Sequence, residues 1–235
     1  MSLLSTVRHY IRRLIPTISR KPSDAESVVS DLFIWRRDST IQTYFDLISL
    51  PSLFDDISES LIKLYLFDAD GHSICSHNIT VRPFQKQTIC INDFLPETTG
   101  FYGTFSVFHS YNPSSVIALK SHISERGYVS YRSANSPLAT YVHGNYDAIS
   151  YSLNSLQLLG GISLLRRKYN LQHCLKPGLK YQLFFVNYTT VAQYFRCTII
   201  SFAGFELFAN EFRLEPGACN FISYQPYIPC RVIIS

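Results

Sequence analysis

The chain has 235 residues, of which 46% are hydrophobic, 14% aromatic and 16% charged. This composition excludes a disordered segment and leaves room for one large all-β domain or two small ones. The net charge of +4 misleads: Arg8, Arg12, Arg13, Arg20 and Lys21 fall in residues 1–21 beside no acid, and without them 16 bases face 17 acids. The body is therefore near neutral and carries no global signature of nucleic-acid binding.

Residues 1–21 place Leu3, Leu4, Val7, Tyr10, Ile11, Leu14, Ile15 and Ile18 on one helical stripe, with Arg8, Arg12 and Arg13 off it. The bases interrupt any signal-peptide core, and Pro16 kinks or ends the helix. The spacing predicts a short amphipathic helix, packed on its own domain or lying on a membrane surface. Lys21–Ser30 reads as a polar linker, so residues 1–30 are expected to be helix and linker.

From residue 31 the period becomes that of strands. LFIW (32–35), IQTYFDLI (41–48) and LIKLYLFD (61–68) are apolar-aromatic runs. Ala69-Asp70-Gly71 is a tight-turn signal, and HSICSHNITV (72–81) returns as the partner strand. TICIND (88–93), GTFSVFHSY (103–111) and VIALK (116–120) complete a first sandwich unit over residues 31–125. Asp68-Ala69-Asp70-Gly71 fails as a calcium loop, because the twelfth position is Ile79 rather than an acid. The turn reading stands.

Residues 62–93 align without a gap on residues 195–226, at an offset of 133. Gly71 falls on Gly204 and Pro83 on Pro216, and Ile89 falls on Ile222. Upstream, YFDLISL (44–50) answers to QLFFVNY (182–188). Downstream, GTFSVFH (103–109) answers to CRVIIS (230–235). The expectation is an all-β protein of tandem antiparallel sandwich units, the second over residues 176–235, with a Tyr-rich segment at 126–175 between them. The two units can also pack as one domain. The order of strand, D-x-D-G turn, strand, Pro and short strand, carried by Leu64–Gly71, Ile79–Pro83 and Ile89–Asp93, resembles small bacterial β-sandwich modules of the sensory rhodopsin transducer type. That resemblance covers about a third of the chain. It implies an antiparallel sandwich used in binding or signal relay, and it supplies no catalytic residue.

The six cysteines form no C-x-x-C pair and have no histidine at zinc spacing. They read as small core residues of a reduced, cytoplasmic protein. The sequons at Asn78 and Asn187 matter only if the chain is exported into a glycosylating compartment. Neither G-x-S-x-G nor a phosphate-binding glycine pattern occurs, and no cofactor is implied.

Candidate site residues gather in 126–151. Along an extended chain Tyr141, His143, Asn145 and Asp147 share one face. Tyr128, Ser130 and Arg132 share another, with Tyr131 opposite. Tyrosine joins a flat apolar ring to a hydroxyl, which suits sugar or peptide recognition. The expected role is a non-enzymatic module that binds a glycan, peptide or protein through Tyr128, Tyr131, Arg132, Tyr141, His143, Asn145 and Asp147. The alternatives are a carbohydrate- or ester-acting enzyme using His143 with Asp147, and a peripheral membrane accessory recruited by residues 1–21.

Overall fold

The computed structural model describes residues 28–38, 40–53, 60–110, 124–125, 127–136, 138–144, 147–162 and 168–235. They form an all-β protein. The helix expected in residues 1–21 and the strand expected at 116–120 lie outside the described residues. No helix among the described residues is long and apolar enough to cross a membrane.

The first strands are β1 (Val28–Ser30), β2 (Phe33–Arg36), β3 (Ile41–Ile48), β4 (Ser60–Phe67), β5 (Ser73–Val81), β6 (Lys86–Cys90) and β7 (Tyr102–His109). The middle of the chain gives β8 (Ser124–Glu125), β9 (Tyr128–Ser133), β10 (Ala139–His143), β11 (Ile149–Ser152) and β12 (Ser155–Leu158). The last part gives β13 (Tyr169–Asn170), β14 (Tyr181–Val186), β15 (Gln193–Ser201), β16 (Glu206–Leu214), β17 (Cys219–Tyr224) and β18 (Cys230–Ile234).

Two four-stranded sheets, β2-β7-β4-β5 and β10-β9-β3-β6, enclose the first core. Alternation explains it. Thr43, Phe45 and Leu47 of β3 point inward, and Ile62, Leu64 and Leu66 of β4 meet them. Phe33, Phe45 and Phe105 form a ring cluster with centroids 4.9 to 5.4 Å apart. Trp35 is wholly buried, and its indole N–H donates to the Phe67 carbonyl at 2.9 Å. Its ring lies so close to Gly103 that a Cβ there would come within 2.7 Å of it.

The other face of β4 and β7 is also covered. Tyr65, Phe67 and Phe108 pack against Val28, Leu32 and Ile149, on and beside the sheet β12-β11-β1-β8. A strand apolar on both faces, as LIKLYLF is, needs such a third layer. Val28–Ser30 corrects the linker reading: all three residues are buried, paired antiparallel with β11 and parallel with β8. Ile91–Phe94 is a second correction, a 3-10 turn where a strand was expected.

The second core lies between β13-β18-β15-β16 and the two-stranded sheet β14-β17. Its hairpin matches the first residue for residue. Ser60 pairs with Val81 and Gln193 with Leu214, both at the offset of 133. Each hairpin shifts register at the same place, between Leu66 and Phe67 and between Ile199 and Ile200. Both turn on a glycine in the left-handed region, Gly71 at φ 86° and Gly204 at φ 91°. The flanking strands agree as well. Tyr44 pairs with Cys90 as Gln182 pairs with Ser223, and Phe67 pairs with Thr104 as Ile200 pairs with Arg231.

The two units touch. Tyr102 meets Phe184 and Phe221 edge-on at 6.1 and 5.1 Å, and the Arg36 guanidinium reaches the Gln182 carboxamide. The Cys219 N–H donates to the Ala69 carbonyl at 2.8 Å.

Candidate functional site

The Tyr-rich segment does not stand apart from the first unit. Its first half is a hairpin that extends the first sandwich. β9 pairs with β3 on one side, Tyr44 opposite Ser130 and Gln42 opposite Arg132, and with β10 on the other. Tyr141 then lies opposite Ser130, and His143 opposite Tyr128. Residues opposite one another share a face. Tyr128, Ser130, Arg132, Tyr141 and His143 therefore stand on the outer side of the sheet with Tyr44, Asp46, Thr88 and Lys86.

This face is aromatic, polar and open. Tyr128 is 53% exposed and Tyr141 56%. The His143 ring meets Tyr128 edge-on at 4.8 Å. The Arg132 guanidinium lies 4.2 Å over the Tyr44 ring, a cation–π contact that holds a flexible side chain flat. Asp46 accepts from the Thr88 hydroxyl at 2.6 Å and from the Lys86 ammonium at 3.1 Å. Burial pushes the Asp46 carboxyl up, but Thr88, Lys86 and Arg132 together outweigh it and hold the pKa below 3.8.

Two expected site residues lie elsewhere. Tyr131 faces the core, as its alternation with Ser130 and Arg132 requires. Its hydroxyl donates to the Ile34 carbonyl at 2.8 Å, and burial raises its pKa far above the usual phenol range. Asp147 is not on the strand of His143. The extended run ends at His143, and the Gly144 N–H bonds back to the Gly127 carbonyl. The chain then crosses to the third layer, where the Ala148 N–H bonds to the Ser30 carbonyl. There Asp147 accepts from the Ser124 hydroxyl at 2.6 Å. Asn145 lies outside the described residues. The geometry thus joins Tyr128, Arg132, Tyr141 and His143 and separates Tyr131 and Asp147 from them.

A different pair was not singled out from the sequence. His109 and Glu125 are 1% and 3% exposed, and the His109 Nε2 lies 2.6 Å from a Glu125 oxygen. The other Glu125 oxygen accepts from the Gly127 N–H at 2.6 Å, while His109 Nδ1 has no hydrogen-bond partner among the described residues. The pair is sealed from solvent and braces β7 against β8. Its signal in the sequence is weak: a histidine in register with the apolar residues of GTFSVFH, and a lone acid near the end of the first unit.

At the β4–β5 turn, Asp68, Asp70 and His72 bring ligand atoms within 4.8 Å of one another. Asp68 accepts from the backbone N–H groups of Asp70 and His72 at 3.0 and 2.8 Å, so this carboxylate shapes the turn. An apolar cavity of about 160 Å³ lies where the sheets β2-β7-β4-β5 and β12-β11-β1-β8 approach Pro216 and Gly217 of the second unit.

All six cysteines are free thiols. Burial pushes the thiols of Cys197 and Cys219 up to about 11 and about 12, so neither serves as a nucleophile near neutral pH. The Asn187 sequon is structural, with its carboxamide buried and donating to the carbonyls of Val191, Leu214 and Glu215. No protein-family model, curated protein or solved structure matches the chain.

Proposed function

We propose that this chain is a non-enzymatic binding module built on a duplicated β-sandwich, and that the outer face of β10-β9-β3-β6 recognises a glycan. The matching registers of the two hairpins, with the same shift at the same position, support the duplication. The observation that carries the binding reading is the exposed cluster Tyr128, Tyr141 and His143 beside the flattened Arg132. Exposed tyrosines on a rigid sheet lose little conformational entropy when a flat apolar sugar face stacks on them, and a guanidinium and a carboxylate supply directional hydrogen bonds. The hairpin bearing the cluster has no counterpart in the second unit, where β14 pairs only with β17 among the described residues. Function placed on an addition to a rigid scaffold is a common arrangement.

The test is a glycan array followed by NMR titration of the best binder. Tyr128→Ala and Tyr141→Ala should each weaken binding by about tenfold, the effect of losing one stacking contact of ~1.4 kcal/mol, and leave the melting temperature nearly unchanged. Unaltered binding in both variants sinks the reading. Binding of extended peptides in place of glycans redirects it to a peptide surface.

A further inference from the structure

The cavity of about 160 Å³ takes its walls from both units. Leu32, Phe67 and Thr104 stand on one side, and Ile149, Leu156 and Leu158 of β11 and β12 on another. The β16–β17 turn of the second unit adds a third wall. Leu32, Phe67, Thr104 and Ile149 are buried, whereas Leu156 and Leu158 are half-buried, so the way in lies past β12. Alternation places a hydroxyl among these apolar groups. Phe105 and Val107 of β7 belong to the first core, so Thr104, Ser106 and Phe108 point the other way, toward the third layer. On that face the Ser106 hydroxyl donates to the Asp31 carbonyl at 3.2 Å. The Thr104 hydroxyl, on a residue of 0% exposure, has no hydrogen-bond partner among the described residues.

We propose that this cavity is a binding site for a compact, ring-sized apolar molecule bearing one hydroxyl, and that Thr104 holds that hydroxyl. Size sets the first limit. An engineered cavity of about 150 Å³ lined by Leu, Ile and Phe takes up benzene, and this one matches it in volume and lining. Chemistry sets the second. A buried hydroxyl left unpaired costs stability, and valine has the same shape without that cost. Threonine at this position is explained by a guest that gives or takes one hydrogen bond. One polar side chain among five apolar ones suits a single hydroxyl and excludes a polyhydroxylated sugar. A bound guest would touch both units, because the β16–β17 turn belongs to the second and the remaining walls to the first. It would therefore hold the two sandwiches together.

This site is separate from the glycan face, so Tyr128→Ala and Tyr141→Ala should leave it intact, and the changes below should leave glycan binding intact. The test titrates phenol, and benzene as the analogue without a hydroxyl, into the full chain. Phenol should shift the methyl NMR signals of Leu32, Ile149, Leu156 and Leu158, leave those of Leu183 and Ile222 in the second core in place, and raise the melting temperature. Thr104→Val should lower phenol affinity by about tenfold, the value of one hydrogen bond, and leave benzene affinity nearly unchanged. The same variant should melt no lower than the unaltered chain, because it removes an unpaired hydroxyl. Leu158→Trp should fill the cavity and abolish binding of both molecules. Failure of both molecules to bind overturns the proposal, as does equal phenol affinity in Thr104→Val. If the tryptophan variant does not fold, the methyl shifts and Thr104→Val decide between these outcomes.

Discussion

Two hairpins of identical register, β4–β5 and β15–β16, meet different surroundings, and the difference separates what the backbone demands from what assembly demands. Gly71 and Gly204 share a left-handed φ. A Cβ on Gly204 would meet nothing within 4 Å, whereas one on Gly71 would lie 2.7 Å from the Gly217 carbonyl carbon and 2.8 Å from the Pro216 oxygen. The turn itself explains glycine at both places. Only the first glycine is also held by a neighbour. The same contrast runs through the cores. Trp35 pairs with Gly103 where Leu175 pairs with Cys230, so a large residue beside a hydrogen in one unit becomes two medium residues in the other.

Substitutions at matched positions can break this comparison. The largest effect is expected for Trp35→Ala, which empties the tightest part of the first core and should cost ~3–5 kcal/mol by urea denaturation. Leu175→Ala at the equivalent position should cost about 2–4 kcal/mol. Gly71→Ala adds a backbone clash to the left-handed penalty and should cost ~2–4 kcal/mol, against about 1 kcal/mol for Gly204→Ala. Equal losses at the two glycines would mean that the contact at Gly217 contributes nothing. Next comes the corner after β14. Asn187 donates to three carbonyls, while Ser49, its counterpart after β3, has a buried hydroxyl with no hydrogen-bond partner among the described residues. Asn187→Ala should cost ~1–3 kcal/mol and Ser49→Ala close to nothing, read from denaturation midpoints.

The smallest effect concerns acid. The folded pKa of Asp46 is depressed below 3.8, so its stabilisation is complete above that value and drains away as the pH falls below it. The carboxylate is partly exposed, so the contribution is at most about 0.5 kcal/mol. Asp46→Asn should flatten that much of the stability-versus-pH curve below pH 3.8 and leave stability near neutral pH almost unchanged.

Local signals in the sequence located much of this fold. Alternation marked β3 at its observed ends, and Asp68 to Gly71 marked the turn, because both depend on neighbours within a few residues. The bonding of β9 to β3 was not legible, since it joins residues about 85 apart and no local pattern records a distant partner. Val28–Ser30 looked like linker because a three-residue strand is too short to show a period. On the candidate face, alternation correctly grouped Tyr128 with Arg132 and Tyr141 with His143. It overreached at Asp147 because Gly144 ends the extended run that the grouping assumed.

The contact between Gly71 and Gly217 is also directional. It joins the hairpin tip of one unit to the β16–β17 turn of the next, a head-to-tail arrangement that repeats indefinitely unless something stops it. For a second molecule to continue the series, the Gly204 tip would have to seat on the turn of a first unit, where residue 84 stands for residue 217. That residue is Phe84, left-handed at φ 56° like Gly217 at 78°, with its side chain 82% exposed. A Cβ at Gly217 would lie 3.6 Å from the Gly71 Cα, an ordinary van der Waals contact, so the crowding at this junction comes from Gly71 and not from Gly217.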